Sequence, residues 1–174
     1  MKKILAIAFT LMTLTAAQAQ DAISKFFSKY QTDESFTQVN ISSKMFSLFT
    51  NMEADSPEDK EVLEAISKLK GLRILRKENT SDARNLYKEA FGLIPMKEFE
   101  ELMSVRDKDQ DMKFYIKESG GKISELVMIM GGIDDFMVMS IFGEIDLKQV
   151  ARIGKKMDVD GLDKLQKIDD KKKD

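Results

Sequence analysis

The sequence predicts an α+β domain: a mixed, mostly antiparallel five-stranded sheet with helices packed mainly on one face. Three observations predict it. Apolar residues recur at helical spacing through the first half of the chain, as in Ile23, Phe26, Phe27 and Tyr30. Residues 112–143 instead alternate or run apolar in short stretches broken by Gly120-Gly121 and Gly131-Gly132, as an antiparallel meander does. Length limits the whole to one domain, since about 155 residues remain once a leader is removed.

The leader comes first. Lys2 and Lys3 precede an apolar stretch from Ile4 to about Leu14, and Ala17-Gln18-Ala19 follows as a small-x-small cleavage pattern. Residues 1–19 are therefore expected to be a signal peptide. The apolar run is shorter than the roughly 20 residues a membrane span needs. No cysteine stands after it to carry a lipid. The product is expected in the periplasm or outside the cell, with no stable membrane insertion. A single domain over residues 20–168 and a charged, disordered tail over 169–174 complete the division.

Within the domain, residues 21–31 read as a helix with one apolar face. Thr37, Val39 and Ile41 alternate with polar neighbours, so residues 36–42 read as a strand. Residues 43–52 read as a short helix. Ser56-Pro57 is an N-cap with proline at the first helical position, and the helix it opens buries Val62, Leu63, Ile66 and Leu69 until Gly71 stops it. Leu72 to Glu78 is a second strand, expected parallel to the first because the connection is long and helical. Thr80 or Ser81 opens a helix with Ala83, Leu86, Tyr87 and Ala90 on its apolar face. Pro95 begins a further helix carrying Met96, Phe99, Leu102 and Met103.

Met112, Phe114 and Ile116 then alternate along a strand, Gly120-Gly121 supplies a two-residue hairpin turn, and Ile123 to Met130 returns. Phe136 to Gly143 is the last strand. Asp146 and Gln149 form a capping box for a closing helix with Leu147, Val150, Ile153 and Met157. The expected order is α-β-α-α-β-α-α-β-β-β-α. Leu126 to Met130 and Phe136 to Met139 are apolar on both faces, where a sheet wetted on one side would alternate. Met128, Met130, Met137 and Met139 on these strands are the expected apolar interaction surface.

Composition excludes much chemistry. The chain has no His, no Cys and no Trp. Histidine is the one side chain whose ordinary pKa lies near neutrality. Without it and cysteine there is no Ser–His or Cys–His pair and no zinc site of imidazole and thiolate. Acidic residues outnumber basic ones 30 to 28, and no basic stripe marks a nucleic-acid partner.

One metal motif remains. Asp107, Asp109, Asp111 and Glu118 occupy positions one, three, five and twelve of a calcium loop. Met112 stands where the loop's sharp turn needs glycine, and a strand pattern replaces the exiting helix. The alternative is a solvated acidic loop entering a hairpin. Asp158, Asp160 and Asp163 around Gly161 suit a helix-to-helix turn with side-chain caps. Ser119-Gly120-Gly121-Lys122 matches a Ser-x-x-Lys string, but two glycines make a hairpin of it, where that chemistry needs one helical turn. The two Met-x-Met pairs suit Cu(I) in principle and core packing better.

Several strings in order, among them Val39-Asn40-Ile41-Ser42-Ser43-Lys44-Met45-Phe46, Gly71-Leu72-Arg73-Ile74-Leu75, Glu125-Leu126-Val127-Met128 and Gly143-Glu144-Ile145-Asp146-Leu147, resemble domain of unknown function 4252, a family of Bacteroidota envelope proteins. The resemblance implies an exported small α+β domain and brings no catalytic residue or cofactor. Some members look lipid-anchored through a cysteine, which this chain lacks.

The expected function is that of an exported, non-catalytic envelope protein without cofactor, binding another envelope protein or itself as a homo-oligomer. The alternatives are a carrier of a small apolar ligand, with Met128, Met130, Met137 and Phe142 lining a pocket between sheet and helices, and a calcium-dependent module.

Overall fold

The computed structural model describes residues 23–50, 54, 56–156 and 161–165. The expected leader, the charged tail, and Asp158 and Asp160 lie outside the described residues. Among those described, no helix is long and apolar enough to cross a membrane.

The elements run α1 (Ser24–Tyr30), β1 (Thr37–Ser42), α2 (Ser43–Phe49), α3 (Pro57–Ser67), β2 (Leu69–Lys77), α4 (Ala83–Gly92), β3 (Glu100–Arg106), β4 (Asp111–Ser119), β5 (Lys122–Gly131), β6 (Phe136–Ile145) and α5 (Leu147–Lys156), then a 3₁₀ turn at Leu162–Leu165. The six strands form one sheet in the order β1-β2-β6-β5-β4-β3. Every pair is antiparallel.

The α+β class stands, and three details of the expectation are corrected. The sheet has six strands. The segment after Pro95 makes one turn, held by the Glu98 and Phe99 N–H groups on the Pro95 carbonyl, and then becomes β3. A bulge between Glu101 and Met103 leaves both Leu102 and Met103 half-buried. That doublet imitates helical spacing. Third, β1 and β2 are antiparallel, with Val39 opposite Ile74. The helices α2 and α3 fold back over the sheet as a pair rather than crossing it, so the chain enters β2 from the end where β1 finished.

Helices cover both faces, and the expectation that they pack mainly on one is corrected as well. On the first, α2, α3, α5 and the 3₁₀ turn pack Phe46, Ile66, Val150 and Leu162 onto Leu72, Phe114, Leu126, Met128, Met139 and Ile141. On the second, α1 and α4 pack Phe26, Ala83, Leu86 and Ala90 onto Leu75, Tyr115, Val127, Ile129 and Val138. This is why β5 and β6 are apolar throughout: strands buried on both sides lose the alternation of a wetted sheet. Each fully buried side chain of this size contributes roughly 1.5–3 kcal/mol.

Local signals place the helices. Ser56 accepts from the Asp59 N–H, with Pro57 at the first position. The helix stops at Lys68, before Gly71, which lies inside β2 opposite Phe142. There a β-carbon would meet the Phe142 ring at 2.1 Å, so the glycine serves close approach rather than helix termination. At α1, Phe26 lies 5.5 Å from Phe136 and 4.8 Å from Tyr30, ring to ring. Glu89 of α4 accepts from both Lys29 and Tyr30.

Candidate functional site

Met128, Met130, Met137 and Met139 are between 0% and 4% exposed. They are the centre of the first core, and the expectation of an apolar interaction surface on them is corrected: the protein's own helices cover that face. The expected apolar pocket is not assembled either. Alternation along β6 puts Phe142 on the face opposite Met137, and its ring packs over Gly71 beneath the Arg73 guanidinium.

The acidic quartet does not converge. Asp107 turns on its own backbone, accepting from the Asp109 and Gln110 N–H groups at 2.8 and 2.9 Å, which holds its carboxyl below the usual range. Asp111 is taken by Arg106 and Arg84. Glu118 lies seven residues further along β4, about 23 Å away at strand rise. The loop is a tight hairpin closed by the Asp107 N–H on the Gln110 carbonyl, and the calcium expectation is corrected to that. Among the described residues no three candidate ligands come together. Gly120 and Gly121 both have positive φ, so the Ser119–Lys122 string is a hairpin turn.

Two other features stand out. The first is the β1 edge of the sheet. Thr37, Gln38, Val39, Asn40 and Ser42 are exposed and Ile41 is half-buried. Helix α2 starts directly from the end of β1. It buries Phe46 and exposes Met45 and Leu48, at 46% and 53%; Val39 on β1 is exposed at 38%. From Phe36 to Thr50 the only charge is Lys44, in a chain one-third charged. The opposite edge, β3, carries Glu100, Glu101 and Arg106, a bulge, and the Lys113–Glu101 ion pair at 2.7 Å. Charges and bulges on an edge strand are how proteins prevent sheet extension. Among the described residues, one edge of this sheet is guarded and the other is left uncovered. The alternation of residues 36–42 located β1, but which strand would be an edge was not visible in the sequence.

The second is a polar cleft of about 900 Å³ between α3, the β4–β5 turn and the start of α5. Its charges are largely paired: Lys68 with Glu64 at 2.9 Å and Lys122 with Glu144 at 2.8 Å. Each lysine holds its partner's carboxyl below the ordinary range. Asp146 caps α5 through the Lys148 and Gln149 N–H groups. The return half of the expected capping box is replaced by another contact: the Gln149 amide donates to Glu61 at 3.4 Å, leaving its buried Oε1 without a partner among the described residues.

No curated protein and no solved structure shows a significant match to the chain. Residues 30–153, from the last residue of α1 into α5, match the family model for domain of unknown function 4252. That stretch includes all six strands, both sheet edges and most of the cleft, and the chain belongs to the domain of unknown function 4252 family.

Proposed function

We propose that this is an exported envelope protein without chemistry of its own, which works by binding protein at the β1–α2 surface. The leader pattern and the missing His and Cys support the first half of the reading. The carrying observation for the second is the contrast between the sheet's two edges. An uncharged, exposed edge strand offers a row of backbone N–H and C=O groups to another strand. Here the strand's own Val39 is exposed, as are Met45 and Leu48 on the helix that follows it.

Site-specific photocrosslinking in the producing cell tests this. A photoreactive residue at Leu48 is expected to give covalent protein adducts in the envelope fraction. The same residue at Met96, equally exposed at 51% on the loop before β3, is expected to give none. Equal yields from both positions, or no adduct from Leu48, would reject the reading.

A further inference from the structure

Resting on that reading, the geometry points to a second copy of this chain as the occupant: we propose that two molecules join antiparallel, β1 against β1, about a two-fold axis at Val39.

A strand pairing with its own copy meets itself reversed. Centred on Val39, the register sets Val39 opposite Val39, Gln38 opposite Asn40 and Thr37 opposite Ile41. The alternation then sorts correctly. Thr37, Val39 and Ile41 share the face that carries the methionine core, since Val39 and Ile41 stand opposite Ile74 and Leu72. Gln38 and Asn40 share the other face, amide against amide, and Gln38 is already steadied by its bond to the Tyr30 carbonyl at 3.0 Å. Directly opposed β-branched pairs favour pairing, and like charges directly opposite oppose it. In β1 there is no charge to be opposed in any register.

The bulge separates the two edges. In β3, self-pairing centred on Met103 would set Glu100 opposite Arg106, but the irregularity between Glu101 and Met103 interrupts the ladder that a second strand would have to follow. A head-to-tail contact of β1 with β3 would leave a free edge at each end and propagate as a filament. Pairing β1 with β1 closes after two copies and yields a continuous twelve-stranded sheet whose outer edges are both the charged β3. Because the two-fold reverses β1, the two α2 helices leave the junction from opposite ends, each carrying its own exposed Met45 and Leu48.

The absence of cysteine supplies a clean experiment. Directly opposite residues of an antiparallel pair have β-carbons about 4.5–5.5 Å apart, nearly disulfide distance. The Val39→Cys variant of the exported chain is expected to convert mostly to a covalent dimer under mild oxidation, and Met96→Cys to stay monomeric. Light scattering of the unmodified protein is expected to show twice the chain mass at tens of micromolar. Val39→Lys, with an unchanged circular dichroism spectrum, is expected to raise the dimer dissociation constant at least tenfold. A strict monomer at hundreds of micromolar, or equal crosslinking from positions 39 and 96, would overturn the proposal. If Leu48 crosslinks in the cell to a protein of a different mass while Val39→Cys remains monomeric, self-pairing falls and the β1–α2 interaction surface stands.

Discussion

Gly143 lies so close to Lys68 that a β-carbon on it would stand 2.5 Å from the Lys68 carbonyl oxygen. The same oxygen accepts from the Glu144 N–H at 3.1 Å, and the β2–β6 register slips beside it, between Leu69 and Gly71. Gly143 has φ near +140°, a conformation other residues reach only with strain. The contact therefore joins the end of α3, the start of β2 and the bend of β6 in one place. Gly143→Ala is expected to destabilise the fold by about 2–4 kcal/mol, combining backbone strain with a clash that neither backbone can relieve. Gly92→Ala, with nothing within 4 Å, is expected to be neutral or slightly stabilising. Urea unfolding of both variants checks the contrast.

Burial divides the methionines into two populations. Met128 and Met139 are wholly buried, whereas Met45 and Met96 are about half exposed. Met139→Ala is expected to cost about 2–5 kcal/mol through the cavity it leaves. Dilute peroxide is expected to oxidise Met45 and Met96 well before Met128 or Met139. Peptide mass spectrometry of the native protein reads this directly, and equal oxidation rates would contradict the core described here.

Periodicity found most helices and the meander, because side-chain spacing reports what each element buries. It failed where that spacing was broken. The bulge at Glu101/Met103 put two apolar residues side by side, and a strand read as a helix. Gly71 followed a helix, but its role is set by Phe142, 71 residues away in sequence and opposite it across the ladder. The double-sided apolarity of β5 and β6 was plain in the sequence. Whether helices or a partner covered the second face depended on where α1 and α4 pack, which is tertiary information. The run from Phe36 to Thr50, with Lys44 its single charge, was equally readable, yet its meaning required knowing that β1 ends the sheet.

Asp111 ties two elements together, accepting from Arg84 of α4 at 2.8 Å and from Arg106 at the end of β3. The Arg106 bond, ahead of burial and the two positive charges, sets the balance that holds its carboxyl below the usual range. A carboxyl with a lowered folded pKa stabilises above its unfolded pKa, near 3.9, and that contribution is lost as pH falls through the folded value. Both arginines are substantially exposed, at 42% and 76%, so screening limits the effect. Asp111→Asn is expected to lose about 1 kcal/mol or less at pH 7. The gap from the unmodified protein is expected to close as pH drops below about 4. Urea midpoints at pH 7, 5 and 3 check the sign. A gap that widens toward acid would show that the pairing is not what Asp111 contributes.

Among the described residues, Gln149 is the one cleft residue whose polar side chain is nine-tenths buried, at 8% exposed, and its Oε1 meets no donor there. Its amide bond to Glu61, at 3.4 Å, is long. A buried acceptor without a partner costs about 1–3 kcal/mol, and removing the group removes the cost. Met has nearly the same length and an apolar end that needs no donor. Gln149→Met is therefore expected to leave stability unchanged or raise it by about 1 kcal/mol, although most buried polar-to-apolar changes remove a satisfied bond and destabilise. Thermal and urea unfolding read the sign. A loss of more than about 1 kcal/mol would mean that a donor, such as ordered water, already satisfies Oε1.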